Sequence, residues 1–379
     1  MARKRVIYQS EALYSAGTGA SGPADIQQIH RVQDISHSVE VARTDVNEFG
    51  KLAALSREVI EVPTVSCDFS YYVIDGQNEA SGLGLTLDGH NVSTSTNCLS
   101  GIMNTDEGVA EKNYYILTTP EGSDATRESA YTQAQYKTFG VIGVGNGFVT
   151  SYGFSASVGE IPSASVSVEA SNLRFDISGS GFANPAIDSA GTAIDQLVRL
   201  PLSTTGDLQA FAVRPGDITV DFGTELLQQG GAQLPGMTTN ATDSQGDGTA
   251  CVQSVSIDLP MSRTPLQCLG SMFPKSRELD LPISVTLTVN ANVSDISSGD
   301  LNSLICSDAQ TRNITVKMRS RCKTGDADNL MTFGFSGAQL DSQSMSSSIG
   351  DNKSVDMTFS AQIGGPEDAS NGLFISGSK

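Results

Sequence analysis

VQDISHSVEVARTDVNEFGKLAALSRE, Val32 to Glu58, is followed 220 residues later by VQSVSIDLPMSRTPLQCLGSMFPKSRE, Val252 to Glu278. Set side by side without a gap, the two stretches share Val32/Val252, Gln33/Gln253, Ser36/Ser256, Arg43/Arg263, Thr44/Thr264, Gly50/Gly270, Ser56/Ser276, Arg57/Arg277 and Glu58/Glu278. Nine matches in 27 positions exceed the roughly two that unrelated segments of ordinary composition would give. The separation is too long for a solenoid or propeller, whose repeats run about 20 to 50 residues, so the duplicated unit is a whole domain.

Working outward, HRVQDISHSVEVA (His30 to Ala42) and REVIEVPTVSCDFSYYVID (Arg57 to Asp75) alternate near period two and read as strands, as do CVQSVSIDLPM and RELDLPISVTLTVNANV in the second copy. The segments between them, Arg43 to Ser56 and Arg263 to Ser276, far exceed the roughly two to five residues of a tight hairpin turn. Loops of that length are expected to reach out and touch something. The likeness continues more weakly. NCLSGIM (Asn97 to Met103) and GDLNSLI (Gly299 to Ile305) read as short helices, with Asp300 as an N-cap, and strands follow at Asn113 and Asn313. TSYGFSAS (Thr150 to Ser157) aligns with MTFGFSGA (Met331 to Ala338) through Gly153/Gly334, Phe154/Phe335 and Ser155/Ser336. ASVSVEASNLRF and KSVDMTFSAQIG close the two copies. The expected fold is mainly β: two tandem antiparallel barrel or sandwich domains, each flanked by one short helix.

The boundaries that follow are an N-terminal arm at 1–29, a first copy at 30–175, a Gly/Ser/Ala-rich linker at 176–212, a second copy at 213–364 and a C-terminal arm at 365–379. Both arms are expected to gain order only from neighbouring subunits. The 379 residues suffice for two domains with their own cores. Hydrophobic residues at 38% and charged residues at 17%, with 38 glycines, 13 prolines and no Trp, leave a Ser/Thr/Asn-rich remainder suited to strands and turns. A net charge of −19 argues against gripping nucleic acid, which needs clustered Lys and Arg to displace counterions. The basic opening MARKR lacks a following apolar core of about 7 to 15 residues, which speaks against a secretory signal. No run of about 18 apolar residues suggests a membrane helix. The six cysteines, none in a CxxC pair, read as buried thiols of a protein folded in a reducing compartment.

Catalytic and metal constellations are weak. His30 and His37 would point to opposite faces of one strand, which excludes them as joint ligands, and His90 stands apart. GVGNG (Gly143 to Gly147) superficially resembles a phosphate loop but precedes a strand where a helix N-terminus is needed. DSQGDG (Asp243 to Gly248) has calcium-like oxygen spacing without a distal Glu and reads as a solvated turn. No catalytic, cofactor or metal residues are therefore assigned. The strongest constellation is the pair of long loops, where Val46, Phe49, Leu52 and Leu55, and Leu266, Leu269, Met272 and Phe273, lie between the arginines Arg43 and Arg57, and Arg263 and Arg277. Apolar residues on a projecting loop call for a covering partner, and its presence in both copies points to another copy of the same protein.

In the order and spacing of MARKRVIYQSEALY, HRVQDISHSVEVARTDVNEFG, SREVIEVPTVSCDFSYY, TSYGFSASVGEIPSASVSVEASNL and RPGDI at Arg214, the chain resembles the major tail tube proteins of tailed bacteriophages. That resemblance implies β-barrel or sandwich subunits joined edge to edge into rings that stack into a tube. The long loops would bridge to the next ring, with Arg43, Val46, Phe49, Leu52, Leu55, Arg57, Arg263, Leu266, Leu269, Met272, Phe273 and Arg277 as contact residues. Two fused domains imply homotrimeric rings with pseudo-sixfold symmetry, assembled in the host cytoplasm and carried in the virion tail. The implied partners are the protein itself, the tape measure protein and viral DNA transiently in the lumen, and tail terminator and tail-tip or baseplate proteins at the ends, with no membrane. Acidic lumen residues would repel DNA, which carries about one charge per 1.7 Å of axis. Two other readings fit the same sequence: the inner tube of a contractile injection machine, and a two-domain β-sandwich adhesin or glycan-binding module. The second of these would be secreted and rich in exposed aromatics, and the absence of a signal and of Trp weighs against it.

Overall fold

The computed structural model describes residues 11–20, 22–60, 62–87, 97–103, 110–119, 125, 140–177, 181–201, 213–222, 250–293, 311–320, 329–366, 368 and 371–377. The chain is mainly β. In its first half come β1 (Glu11–Gly17), β2 (Ile26–Ile29), β3 (Val32–Glu40), β4 (Thr44–Val46), β5 (Ser56–Glu58), β6 (Thr64–Tyr72), β7 (Lys112–Thr118), β8 (Gly140–Ser157), β9 (Ser163–Ala170) and β10 (Asn172–Asp176). Two short strands follow, β11 (Phe182–Ala183) and β12 (Leu197–Val198). The second half holds β13 (Ile218–Asp221), β14 (Ala250–Pro260), β15 (Arg263–Leu266), β16 (Ser276–Leu279), β17 (Ser284–Val293), β18 (Arg312–Arg319), β19 (Asn329–Ser346), β20 (Ser354–Gln362) and β21 (Gly372–Gly377). Helical structure among the described residues is confined to single turns, including α1 (Ser100–Met103) and a π turn at Asn78–Leu83.

Strand pairing recurs between the halves. Antiparallel contacts join β3 to β6, β6 to β9, β9 to β8 and β8 to β7; the same order joins β14 to β17, β17 to β20, β20 to β19 and β19 to β18. Even the irregularities recur. Bulges at Val32/Asp34 and Val149/Ser151 have counterparts at Val252/Ser254 and Leu340/Ser342. The far half of β8 then pairs with β14, so that β3-β6-β9-β8-β14-β17-β20-β19 form one continuous sheet. The near halves of β8 and β19 continue into ladders with β7 and β10, and with β18 and β21, which bring the connected strands to fifteen among the described residues.

The recurring bulges correct one alignment. Val144 opposes Tyr114 as Phe335 opposes Ile314, so MTFGFSGA takes the place of Gly140 to Gly147 and not of TSYGFSAS. The two placements differ by ten residues, and an even slip leaves the inward and outward faces of a strand unchanged. Periodicity could not separate them, and a three-residue identity misled.

Alternation builds the core. Val65, Cys67, Phe69 and Tyr71 on β6, Val285, Leu287, Val289 and Ala291 on β17, and Val355, Met357, Phe359 and Ala361 on β20 all point to one side and are buried. They share one cluster with Leu13, Tyr152, Phe154, Phe333 and Ile375. Each large apolar side chain fully withdrawn from water stabilises the fold by about 1.5–3 kcal/mol.

The described parts of both arms, in contrast to arms that gain order only from neighbouring subunits, are paired within the chain itself. β1 pairs with β7 and β2, and β21 with β19, with Leu13, Tyr14, Leu373 and Phe374 buried. Their short apolar runs, ALYSA and GLFIS, supply buried strands without visible alternation. The stretch read as a linker is likewise packed where it is described, since Phe182, Val198 and Leu200 fill a second cluster with Tyr14 and Tyr115. His30 lies ahead of β3, because Arg31 takes a left-handed φ of 60°. It is buried, its N–H donating to Asn78 Oδ1. Cys67 and Cys98 are buried and their thiols pushed up to about 12, whereas Cys251 and Cys268 are exposed, against the expectation for all six. The GDLNSLI and DSQGDG segments, His90, Cys306 and Cys322 lie outside the described residues.

Candidate functional site

The eight-stranded sheet has one face on the core and a second face of different chemistry. Outward positions carry Ser66, Ser70, Ser165, Ser167, Ser155, Ser157, Ser254, Ser256, Thr286, Thr288, Asn290, Asn292, Thr358 and Ser360, because each alternates with a buried neighbour along its strand, and on the edge strand β3 Ser36 and Ser38 take the same side by register, Ser36 opposite Asp68 and Ser38 opposite Ser66. The charged side chains at these outward positions are Asp34, Glu40, Asp68, Glu169, Asp258 and Asp356; none is Lys or Arg. The polar groups bond one another across strands: Ser38 with Ser66 at 2.8 Å, Ser155 with Ser163 at 3.2 Å, and Ser346 with Ser354 at 2.8 Å. Ser70 donates to Asp34 at 2.9 Å, and Asn290 to Asp356 at 2.6 Å. The sequence displayed this face as Ser/Thr at every second position, a pattern not assigned a role there.

Both ends of the sheet are open among the described residues. β3 pairs only with β6, and residues 339–346 of β19 pair only with β20. Open edges expose unpaired N–H and C=O groups and invite another strand. Val39 and Val41 at the first edge are 48% and 40% exposed, while their counterparts Leu259 and Met261, covered by β8, are both at 0%.

The two long loops are β-ribbons, β4 with β5 and β15 with β16, each turning through a glycine of positive φ, Gly50 at 88° and Gly270 at 90°. Phe49, Leu52 and Leu269 stand fully exposed at the tips, and Val46, Leu55, Leu266 and Met272 are also exposed. Arg43 is exposed, and Arg57 pairs with Asp45 at 2.6 Å. The remaining three residues assigned to contacts beyond the chain are engaged within it. Arg277 is buried and pairs with Glu169; Arg263 lies 5.0 Å over the Phe148 ring, burial bringing its pKa down to about 10. Phe273 packs against Gly191 and donates its N–H to the Ser189 carbonyl. Together they wall a cavity of about 320 Å³ at the root of the second ribbon. Among the described residues the first ribbon has no such anchorage, a difference the shared Arg and Glu residues do not reveal.

GVGNG lies inside β8, where Gly143 and Gly145 admit Pro185; a Cβ on Gly145 would collide with the Pro185 carbonyl. These glycines serve packing. Beneath the sheet, Glu79 is fully buried and accepts hydrogen bonds from Tyr71 at 2.8 Å and Tyr152 at 3.2 Å. Burial raises its pKa, against the hydrogen bonds that lower it. Among the described residues no group of three or more His, Cys, Asp or Glu could hold a metal ion, and no helix is long and apolar enough to cross a membrane. No protein-family model and no curated protein matches the chain.

Proposed function

We propose that this chain is a structural subunit that closes into rings and stacks into a tail tube, a conduit for phage DNA. The observation carrying this reading is the eight-stranded sheet, core-backed on one face, polar on the other with no Lys or Arg at the outward strand positions among the described residues, and open there at both edges. Joining such sheets edge to edge removes the exposed edges and turns the polar face into a lining. With the recurring strand order taken as two tube domains per chain, three chains supply 24 strands and six quasi-equivalent domains. At about 4.8 Å between strands, 24 strands enclose a circumference of roughly 115 Å, larger once the strands tilt. A hydroxyl and carboxylate lining repels phosphates and leaves them hydrated.

The exposed tips Phe49, Leu52 and Leu269 are the residues this reading assigns to the adjacent ring. The tape measure protein would occupy the lumen before DNA, with terminator and tip or baseplate proteins at the ends. Electron microscopy of the purified protein tests the reading. Rings or tubes are expected, and discrete monomers under every assembly condition would refute it.

A further inference from the structure

The junction inside the chain shows how one sheet half accepts the next. On β8, Ser157, Ala156, Ser155, Phe154, Gly153, Tyr152 and Ser151 oppose Ser254, Val255, Ser256, Ile257, Asp258, Leu259 and Pro260 of β14. Backbone bonds at its two ends, Val158 N–H to Gln253 O and Met261 N–H to Thr150 O, fix the register. β14 is the counterpart of β3, 220 residues on, as His37 opposite Cys67 and Ile257 opposite Leu287 show. β19 is the counterpart of β8, 191 residues on, as Val149 opposite Val168 and Leu340 opposite Phe359 show. The turns that follow agree, with Gly159 at φ 93° and Gly350 at φ 97°. The two edges that no other described strand covers are thus the counterparts of the two edges already joined once within the chain.

The geometry points to a specific seam between chains, resting on the ring reading above: β3 of one subunit pairs antiparallel with residues 342–346 of β19 in a second copy. Its register is Ser36 with Ser346, His37 with Met345, Ser38 with Ser344, Val39 with Gln343 and Glu40 with Ser342. Ile349 N–H then donates to Gln33 O, and Val41 N–H to Asp341 O, repeating the bonds that end the internal junction. The chemistry on each face matches. Ser36 and Ser38 meet Ser346 and Ser344 on the polar face, as Ser256 meets Ser155 inside the chain. On the core face, Val39 and Val41 lose the exposure that Leu259 and Met261 have lost already. The seam is heterologous, β3 to β19, so it propagates around a ring and does not stop at a two-fold dimer.

The internal junction is apolar at its centre, Ile257 against Phe154 and Leu259 against Tyr152. The seam substitutes His37 against Met345 and Val39 against Gln343, so the chains part more readily than the two halves of one chain.

Disulfide trapping tests the register. In a background with Cys251, Cys268, Cys306 and Cys322 changed to Ser, the double variant Ser36→Cys/Ser346→Cys is assembled, oxidised and resolved on a non-reducing gel. The two positions lie about seven strand spacings, roughly 34 Å, apart in one chain, so a bond between them joins two chains. Directly opposed residues have Cα atoms about 4.5–5.5 Å apart, within disulfide reach, whereas a two-residue offset exceeds about 7 Å and is not bridged. A ladder ending at covalent trimers is expected for this pair and for Ser38→Cys/Ser344→Cys, with no ladder for the offset pair Ser36→Cys/Ser344→Cys. Tubes visible by microscopy whose matched pairs fail to cross-link overturn the seam and leave the tube reading standing. Dimers from Ser36→Cys alone overturn it in favour of a β3-to-β3 contact. Matched cross-links in a sample without tubes uphold the seam and count against the tube reading.

Discussion

Ile257 and His37 hold the same place in the two strands that open the recurring order, yet alanine at each should have very different effects on the unassembled protein. Ile257 is 2% exposed and faces Phe154, which is 1% exposed and whose ring lies 4.6 Å from that of Phe333. β17 and β8 hold it from both sides, so the surrounding structure has little room to collapse into the gap. Removing its three outer carbons should cost about 3 kcal/mol, within the roughly 2–5 kcal/mol of buried Ile-to-Ala changes. In a chain of 379 residues that lowers the melting temperature by about 4 °C. His37 stands on an open edge, exposed, 6.3 Å from the Phe175 ring. Its replacement should stay within about 0.5 kcal/mol. Thermal and urea unfolding of the unassembled protein, followed by circular dichroism, measures both. Equal losses for the two variants, or a loss below about 1 kcal/mol for Ile257→Ala, would refute the account of one closed and one open junction.

Three further outcomes follow from the same structure. Glu79 has its pKa raised above the ordinary 4.5 by burial, so the native state holds its proton more tightly than the unfolded chain. Stability from this group is therefore full below the ordinary value and falls as pH rises through the raised one. Glu79→Gln should flatten that slope in pH-dependent urea titrations, whereas Glu79→Ala strands the Tyr71 and Tyr152 hydroxyls and should cost about 1–3 kcal/mol at any pH. Gly145→Ala should destabilise by about 1–3 kcal/mol or more, because its methyl group meets the Pro185 backbone and not a movable side chain; calorimetry reads this directly. Phe49→Asp and Leu52→Asp should leave unfolding unchanged within about 0.5 kcal/mol, since both side chains are fully exposed, but should leave rings that fail to stack in micrographs.

Residue by residue, the sequence was most legible where identity was local. Arg43-Thr44 and Ser56-Arg57-Glu58 recur at the bases of ribbons whose turns need the glycines Gly50 and Gly270, and the structure places both ribbons in equivalent positions. The long strands were less legible, because β19 can slide by ten residues against β8 with the same residues facing inward. The arms escaped notice since Ala12 to Ala16 and Leu373 to Ile375 are too short for periodicity to show. The open edge did leave a trace. His37 interrupts an apolar series that Val255, Ile257 and Leu259 complete in the other copy. That polar substitution marks the strand whose inner face this chain leaves uncovered. The unequal anchorage of the ribbons left none, because Ser189 and Gly191, which hold Phe273, lie outside the stretches whose identities align the two copies.

The central claim is that open edges of one sheet close on those of identical chains around a polar lumen. Electron cryo-microscopy of the assembled protein tests it most directly. The expected reconstruction has threefold rings, a continuous 24-stranded inner wall, and the Ser/Thr/Asp face toward the axis. A reconstruction with that face buried between subunits, or with β3 and the far half of β19 left unpaired, would contradict it.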